Sequence, residues 1–248
     1  MTRLIRAEFT KLATTRLLYG LTAVMAAFAA LTVIALMTTP DMEGNPPLSA
    51  DSLPMFVAAP VTLLSGAALL LGILGMAGEF RHQTVTQTFL VTPDRGRVVA
   101  AKLVAYPLAG IALTLAILAF TAAVATGWLA AKGITPSLLD ARLGRVLLGA
   151  VLAAGLWALV GVGVAALVRN QVAALVGVAV WVLVVEGLLM SLLNAPSLGK
   201  WLPSAAAAAL TNQPGAHLSR LGGALLLAGY ALALAVAGTR LVVRRDIT

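Results

Sequence analysis

The sequence predicts an all-α, polytopic membrane protein of about six transmembrane helices. Three observations carry that prediction. Of its 248 residues, 60% are hydrophobic and only 10% charged, against about 25% charged in an ordinary soluble domain. The mean hydropathy of +0.99 agrees: so few charges cannot cover a surface in water, so the solvent for most of the chain is lipid. Finally, apolar stretches recur at about 17–37, 57–77, 104–129, 146–168, 172–193 and 221–242, each near the roughly 20 residues that a helix needs to cross a bilayer. The six spans form one transmembrane domain over residues 1–248.

The first element precedes the first span. Over residues 2–15, Leu4, Ile5, Phe9 and Leu12 recur at helical spacing, with Arg3, Arg6 and Lys11 on the other positions. This pattern predicts an interfacial helix whose apolar face lies in the headgroup region. The apolar run that follows exceeds the 7–15 residues typical of a signal-peptide core, so it is expected to be retained as the first span. The connection from Thr38 to Phe56 holds Asp41, Glu43, Asp51 and four prolines but no Lys or Arg.

Gly78 to Lys102 is the most polar internal stretch. Its pattern predicts a short amphipathic crossbar at about 80–91, with Val85 and Phe89 four residues apart on one apolar ridge beside Thr84 and Thr88. Thr92 would cap the next helix and Pro93 would occupy its first position. That helix would pass through Arg95 and Lys102 into the third span. The expected product is an elbow rigidly joined to two spans.

At these residues the sequence resembles the membrane subunits of ABC-2-type exporters. The shared pattern is an acidic residue, an aromatic and Arg (Glu79-Phe80-Arg81), then Thr84, then Pro-x-Arg (Pro93-Asp94-Arg95) and Lys102. Many members carry Gly before that Thr, where this chain has Gln83. Trp201 to Ala206 is similar to the family's outer segment ahead of the last span. The resemblance implies a coupling helix between spans 2 and 3 that docks in a separate ATP-binding subunit. It implies a second permease subunit, identical or a sister chain, and transport driven from outside the chain. The expected interface comprises Glu79, Phe80, Arg81, Thr84, Val85, Thr88, Phe89, Pro93, Arg95 and Lys102. Phe89 would be its anchor, with Glu79 and Arg81 orienting the crossbar or pairing at its rim.

Charge sets the expected orientation. With the N-terminus inside, twelve of the seventeen Lys and Arg fall on the cytoplasmic side and five, including Arg142 and Arg145, on the other. That bias places both termini in the cytoplasm, and the resemblance implies a bacterial plasma membrane. The +8 net charge is scattered between apolar runs, which favours lipid headgroups over nucleic acid as partner. With no cysteine present, disulfides and thiolate chemistry are excluded. His82 and His217 stand alone, so no metal site is expected. No Walker A loop occurs, since Gly199-Lys200 continues into Trp201. The reading is therefore a transport subunit with no catalytic residue and no cofactor. Glu186, within the fifth span, is the one acidic group at membrane depth, where it is costly and faces protein or a cavity. It leaves an ion-coupled transporter open as an alternative, beside a scaffold without a pathway. Stripes of small residues (Gly72, Gly75, Gly78; Ala150, Ala154, Ala158; Gly229, Ala233, Ala237) are expected to mark helix packing.

Overall fold

A computed structural model describes residues 1–40, 42–84, 87–88, 90, 92–193, 199–211 and 217–244. Helix α1 (Thr2–Thr14) turns through Thr15 into α2 (Arg16–Thr38). A short α3 (Leu53–Ala58) precedes α4 (Val61–Arg81). Then come α5 (Arg95–Ala131), α6 (Ala141–Val168) and α7 (Gln171–Val180). A π-helical turn (Trp181–Val185) joins α7 to α8 (Glu186–Leu193), and α9 (Pro203–Leu210) and α10 (Arg220–Arg244) follow. Six helical stretches are long and apolar enough to cross a membrane, and no strand occurs among the described residues. This is the make-up of a multi-pass membrane protein.

Close backbone approach explains the interior. Helices α4 and α6 cross where neither has a side chain: a Cβ at Gly72 would lie 2.2 Å from the Ala158 carbonyl oxygen, and one at Gly161 2.2 Å from that of Leu69. Dispersion and backbone contact replace the hydrophobic effect as the attraction between helices in lipid, and small residues maximise both. Helix α10 joins α6 in the same way, through Gly163 and Gly238. Ala150, Ala154 and Ala158 are buried as the pattern predicts. The other stripes are corrected. Gly78 and Gly229 meet nothing within 4 Å, and Ala233 and Ala237 face outward. A small-residue stripe forms an interface only where a partner helix lies opposite it.

Two connections differ from expectation. The second span does not start at 57. The chain turns at Ala59-Pro60, and α4 runs from Val61 through Arg81. Proline has no N–H to continue the ladder, so the break falls there. Its upstream piece, α3, is no solvated linker: Leu53, Phe56 and Val57 are buried. Helix α5 has 37 residues, about 55 Å at 1.5 Å per residue, against a hydrocarbon core of about 30 Å. Its first turns therefore overhang the third span and bring Lys102 to the elbow.

Gly72→Ala should lower the thermal midpoint by several degrees in detergent, because a backbone carbonyl blocks the added methyl. Gly78→Ala should leave it unchanged or raise it slightly, since Ala is favoured over Gly in a helix by about 1 kcal/mol. Equal losses in a thermal-shift comparison would contradict the packing described.

Candidate functional site

The residues that distinguish this molecule chemically lie at the end of the bundle where α1, the last turn of α4 and the first turns of α5 meet. Glu8 is the one carboxylate in α1, on the same helical strip as Leu4 and Leu12. The strip faces the protein, so Glu8 is carried inside and is only 4% exposed. An isolated carboxylate there would be strongly disfavoured. It meets Lys102 Nζ at 2.8 Å and Lys11 Nζ at 2.8 Å. Both lysines also reach Glu79, Lys11 at 2.7 Å and Lys102 at 2.9 Å. Two carboxylates and two ammonium groups thus alternate in a closed ring.

Lys102 is the centre of this arrangement. At 1% exposure it has no water to lean on, and its three donors have three acceptors: Glu8 Oε2, Glu79 Oε1 and the Gly75 carbonyl at 3.0 Å. The Gly75 contact depends on the absence of a side chain. A Cβ there would run into the Tyr106 ring, 1.9 Å away. Tyr106 in turn donates its hydroxyl to Glu8 Oε2 at 3.3 Å, and Lys102 lies 5.5 Å from the centre of its ring. Lys11 is half open to solvent, where screening weakens each of its pairings. The Lys102 side of the ring therefore carries most of the stabilisation.

Sequence reasoning brought Glu79 and Lys102 to the elbow and gave Glu79 an orienting or rim role. Its side chain is 12% exposed and belongs to the last turn of α4. Phe80 and Arg81 close the same turn. Glu8, Lys11 and Tyr106 were missed as site residues. The available signal was the placement of Glu8 between Leu4 and Leu12.

Beyond Arg81 the backbone reverses at Gln83, whose φ of +54° is left-handed. A non-glycine residue accepts that conformation at a cost of about 1–2 kcal/mol. Thr84 begins the next segment, and Thr88 donates both its amide and its hydroxyl to the Thr84 carbonyl. Gln87, Thr88 and Leu90 are helical, whereas Val85 and Phe89 lie outside the described residues. The predicted cap is also corrected. Asp94, not Thr92, caps α5: its carboxylate accepts from the Arg97 amide at 3.1 Å and pairs with the Arg97 guanidinium. Helix α5 starts at Arg95, so Pro93 precedes it. A carboxylate at that place satisfies an orphan amide and complements the helix dipole together.

A second tether reaches the same turn. Arg169 ends α6 in a left-handed conformation and donates Nη2 to the Leu241 carbonyl at 2.7 Å. Its guanidinium lies 5.9 Å from the centre of the Phe80 ring. Glu79 is thus held by α1 and α5, and Phe80 lies against Arg169, which is itself bonded to α10.

Glu186 lies elsewhere, 3% exposed and about 22 Å along the helix from Gln171 at 1.5 Å per residue. It accepts from the Ser204 amide at 3.3 Å and from the Ser204 hydroxyl, which ties α8 to the first turn of α9. Its Oε1 is buried without a hydrogen-bond partner among the described residues. The π-turn immediately before it shifts the helical phase by one residue, and the Glu186 amide donates to the Trp181 carbonyl.

No protein-family model matches the chain, and no curated protein matches it either.

The ring implies a definite pH dependence. Burial pushes the Glu8 carboxyl up, but Lys102 and then Lys11 outweigh that and hold it below its ordinary 4.5. Burial likewise lowers Lys11, and its bonds to Glu79 and Glu8 raise it above 10.5. A depressed carboxyl stabilises above its unfolded pKa and loses that contribution as pH falls through the folded one. A raised ammonium stabilises below its unfolded pKa and loses it as pH rises through the folded one. Docking of α1 should therefore hold from neutral pH to above 10.5 and weaken on the acid side only as pH falls below 4.5. An environment-sensitive label on a cysteine at Ala7 reports it. A midpoint for the loss of docking at or above pH 4.5 would contradict the ring.

Proposed function

We propose that this chain is the membrane-spanning permease subunit of an ATP-driven exporter of the ABC-2 type. In this reading, residues 82–94 form the coupling segment that a separate cytoplasmic ATP-binding subunit grips. A second permease subunit completes the pathway, and both termini lie inside a bacterial plasma membrane. The observation that carries the reading is mechanical. The polar segment is strung between two spans whose ends the charge ring binds to each other and to α1. A force on that segment reaches α1, α4 and α5 together, and through Phe80 and Arg169 it reaches α10. A solvated loop that merely joined two spans would need no such fixture.

Two features of the sequence support the same reading. The 248 residues hold no phosphate-binding loop, so ATP energy would have to enter through a protein contact. The resemblance at Glu79-Phe80-Arg81, Thr84, Pro93-Asp94-Arg95 and Lys102 falls on the elbow itself. Within the segment, Thr84, Val85, Thr88 and Phe89 would form the surface presented to the ATPase. Arg81, Pro93 and Arg95 would flank it. Phe89 is the anchor, because a buried aromatic in a partner's pocket often dominates an interface.

The test is co-purification in detergent with the proposed ATP-binding subunit. Phe89→Ala should keep normal abundance and weaken retention of the ATPase by more than tenfold. That corresponds to roughly 2 kcal/mol for a lost anchor, at 1.4 kcal/mol per decade. ATP-dependent export should stop with it. If Phe89→Ala and a joint Thr84→Ala, Thr88→Ala, Phe89→Ala variant both keep the ATPase and export at wild-type levels, the segment is not the coupling element.

A further inference from the structure

The outward face of α1 has a chemistry that neither the charge ring nor the coupling segment uses. Arg3, Arg6, Ala7, Thr10, Lys11 and Thr14 line one open groove. At 100° per residue, Arg6, Thr10, Arg3 and Thr14 fall within about 80° of arc. The only acid of the helix, Glu8, is turned to the opposite side and consumed by Lys102, so this face is positive throughout. The Thr10 and Thr14 hydroxyls donate to backbone carbonyls of their own helix. Arg3 and Arg6 are both exposed, with no hydrogen-bond or ion partner among the described residues. Their Cα atoms are one helical turn apart, so their guanidinium forks can converge on one phosphate, whose oxygens each fork matches in pairs.

The strip next to the arginines is apolar. It carries Phe9, 37% exposed, with Ala13 one turn on. Tyr19 is also exposed and donates its hydroxyl to the Ala13 carbonyl at 2.9 Å, an aromatic of the kind enriched at headgroup level. Only Thr15 separates α1 from the first span, so the helix sits where that span leaves the bilayer. We propose that this face of α1 is a seat for an anionic phospholipid: Arg3 and Arg6 hold the phosphate of the headgroup, and Phe9 covers the upper part of the acyl chains. Charge complementarity selects the anion. The adjoining apolar strip and the depth select a lipid over a free phosphate, which would leave Phe9 in water. The proposal is independent of the coupling mechanism, although Glu8 connects the same helix to Lys102.

The chain has no cysteine, so a single one at exposed Thr2 can carry a fluorophore. With the full chain in lipid nanodiscs, quenching by spin-labelled phosphatidylglycerol is compared with quenching by spin-labelled phosphatidylcholine. The anionic lipid should quench at a several-fold lower mole fraction, and the preference should vanish in Arg3→Gln/Arg6→Gln. Both positions are exposed, so the thermal midpoint of that variant should match the wild type. Arg142→Gln/Arg145→Gln, at the start of α6, should keep the preference. Equal quenching by the two lipids in the wild type overturns the proposal, as does a preference that survives loss of both arginines. Loss of the preference in the Arg142/Arg145 variant would mean that overall charge alone attracts the lipid. Its abolition by millimolar inorganic phosphate would mean a free-phosphate site. Each of these outcomes also overturns it.

Discussion

A buried charge must be paired, and this requirement organises one whole end of the molecule. Lys102 lies in the first turns of the 37-residue α5, buried inside protein. Its three donors need three acceptors, and these come from the two helices packed against its own: Glu8 from α1, and Gly75 and Glu79 from α4, with Tyr106 of α5 donating to Glu8 beside them. No two of these helices could be moved apart without stranding an ion in a poorly solvated place. The usual argument about buried salt bridges applies: the intact set adds little net stability over an apolar core, but breaking it costs about 3–5 kcal/mol. What the ring provides is fixed geometry. Helix α1 has one register against α4 and α5, and the elbow between those helices has one starting and one ending point.

The same logic accounts for the two other polar fixtures. Arg169, itself left-handed after α6, brings its guanidinium to the Leu241 carbonyl of α10 and to the Phe80 ring. Glu186 uses the amide and hydroxyl of Ser204 in the first turn of α9. Each holds a connection against the bundle, while contacts between glycine-bearing stretches hold the helices to one another. Polar groups set register, and close backbone approach supplies attraction, which is the division of labour expected where lipid removes the hydrophobic effect between helices.

Much of this was legible in the sequence because bilayer thickness imposes a length and charge imposes a boundary. The six apolar stretches, the separate first helix and the polar elbow with Glu79 and Lys102 needed no more than that. What was not legible depended on partners distant in the chain. Glu8 looks like one more polar residue of a basic helix until Lys102, 94 residues away, is set opposite it. Gly72 and Gly78 are indistinguishable in a stripe until one faces α6 and the other faces nothing. The competition between Thr92 and Asp94 for the cap of α5 was decided by a charge, which propensity alone does not weigh against the following proline. The π-turn before Glu186 adds a residue to the helical turn, and no periodicity shows it.

The claim on which the rest depends is that Glu8 and Lys102 act as one unit. A double-mutant cycle measures it directly, with Glu8→Gln, Lys102→Met and the pair compared by thermal or denaturant unfolding in one detergent at neutral pH. Each single variant should lose about 3–5 kcal/mol, because it leaves an uncompensated charge inside. The double variant should lose clearly less than the sum, with a coupling energy within the 0.5–3 kcal/mol seen for contacting residues. Strictly additive losses, or a Lys102→Met variant as stable as the wild type, would contradict the ring.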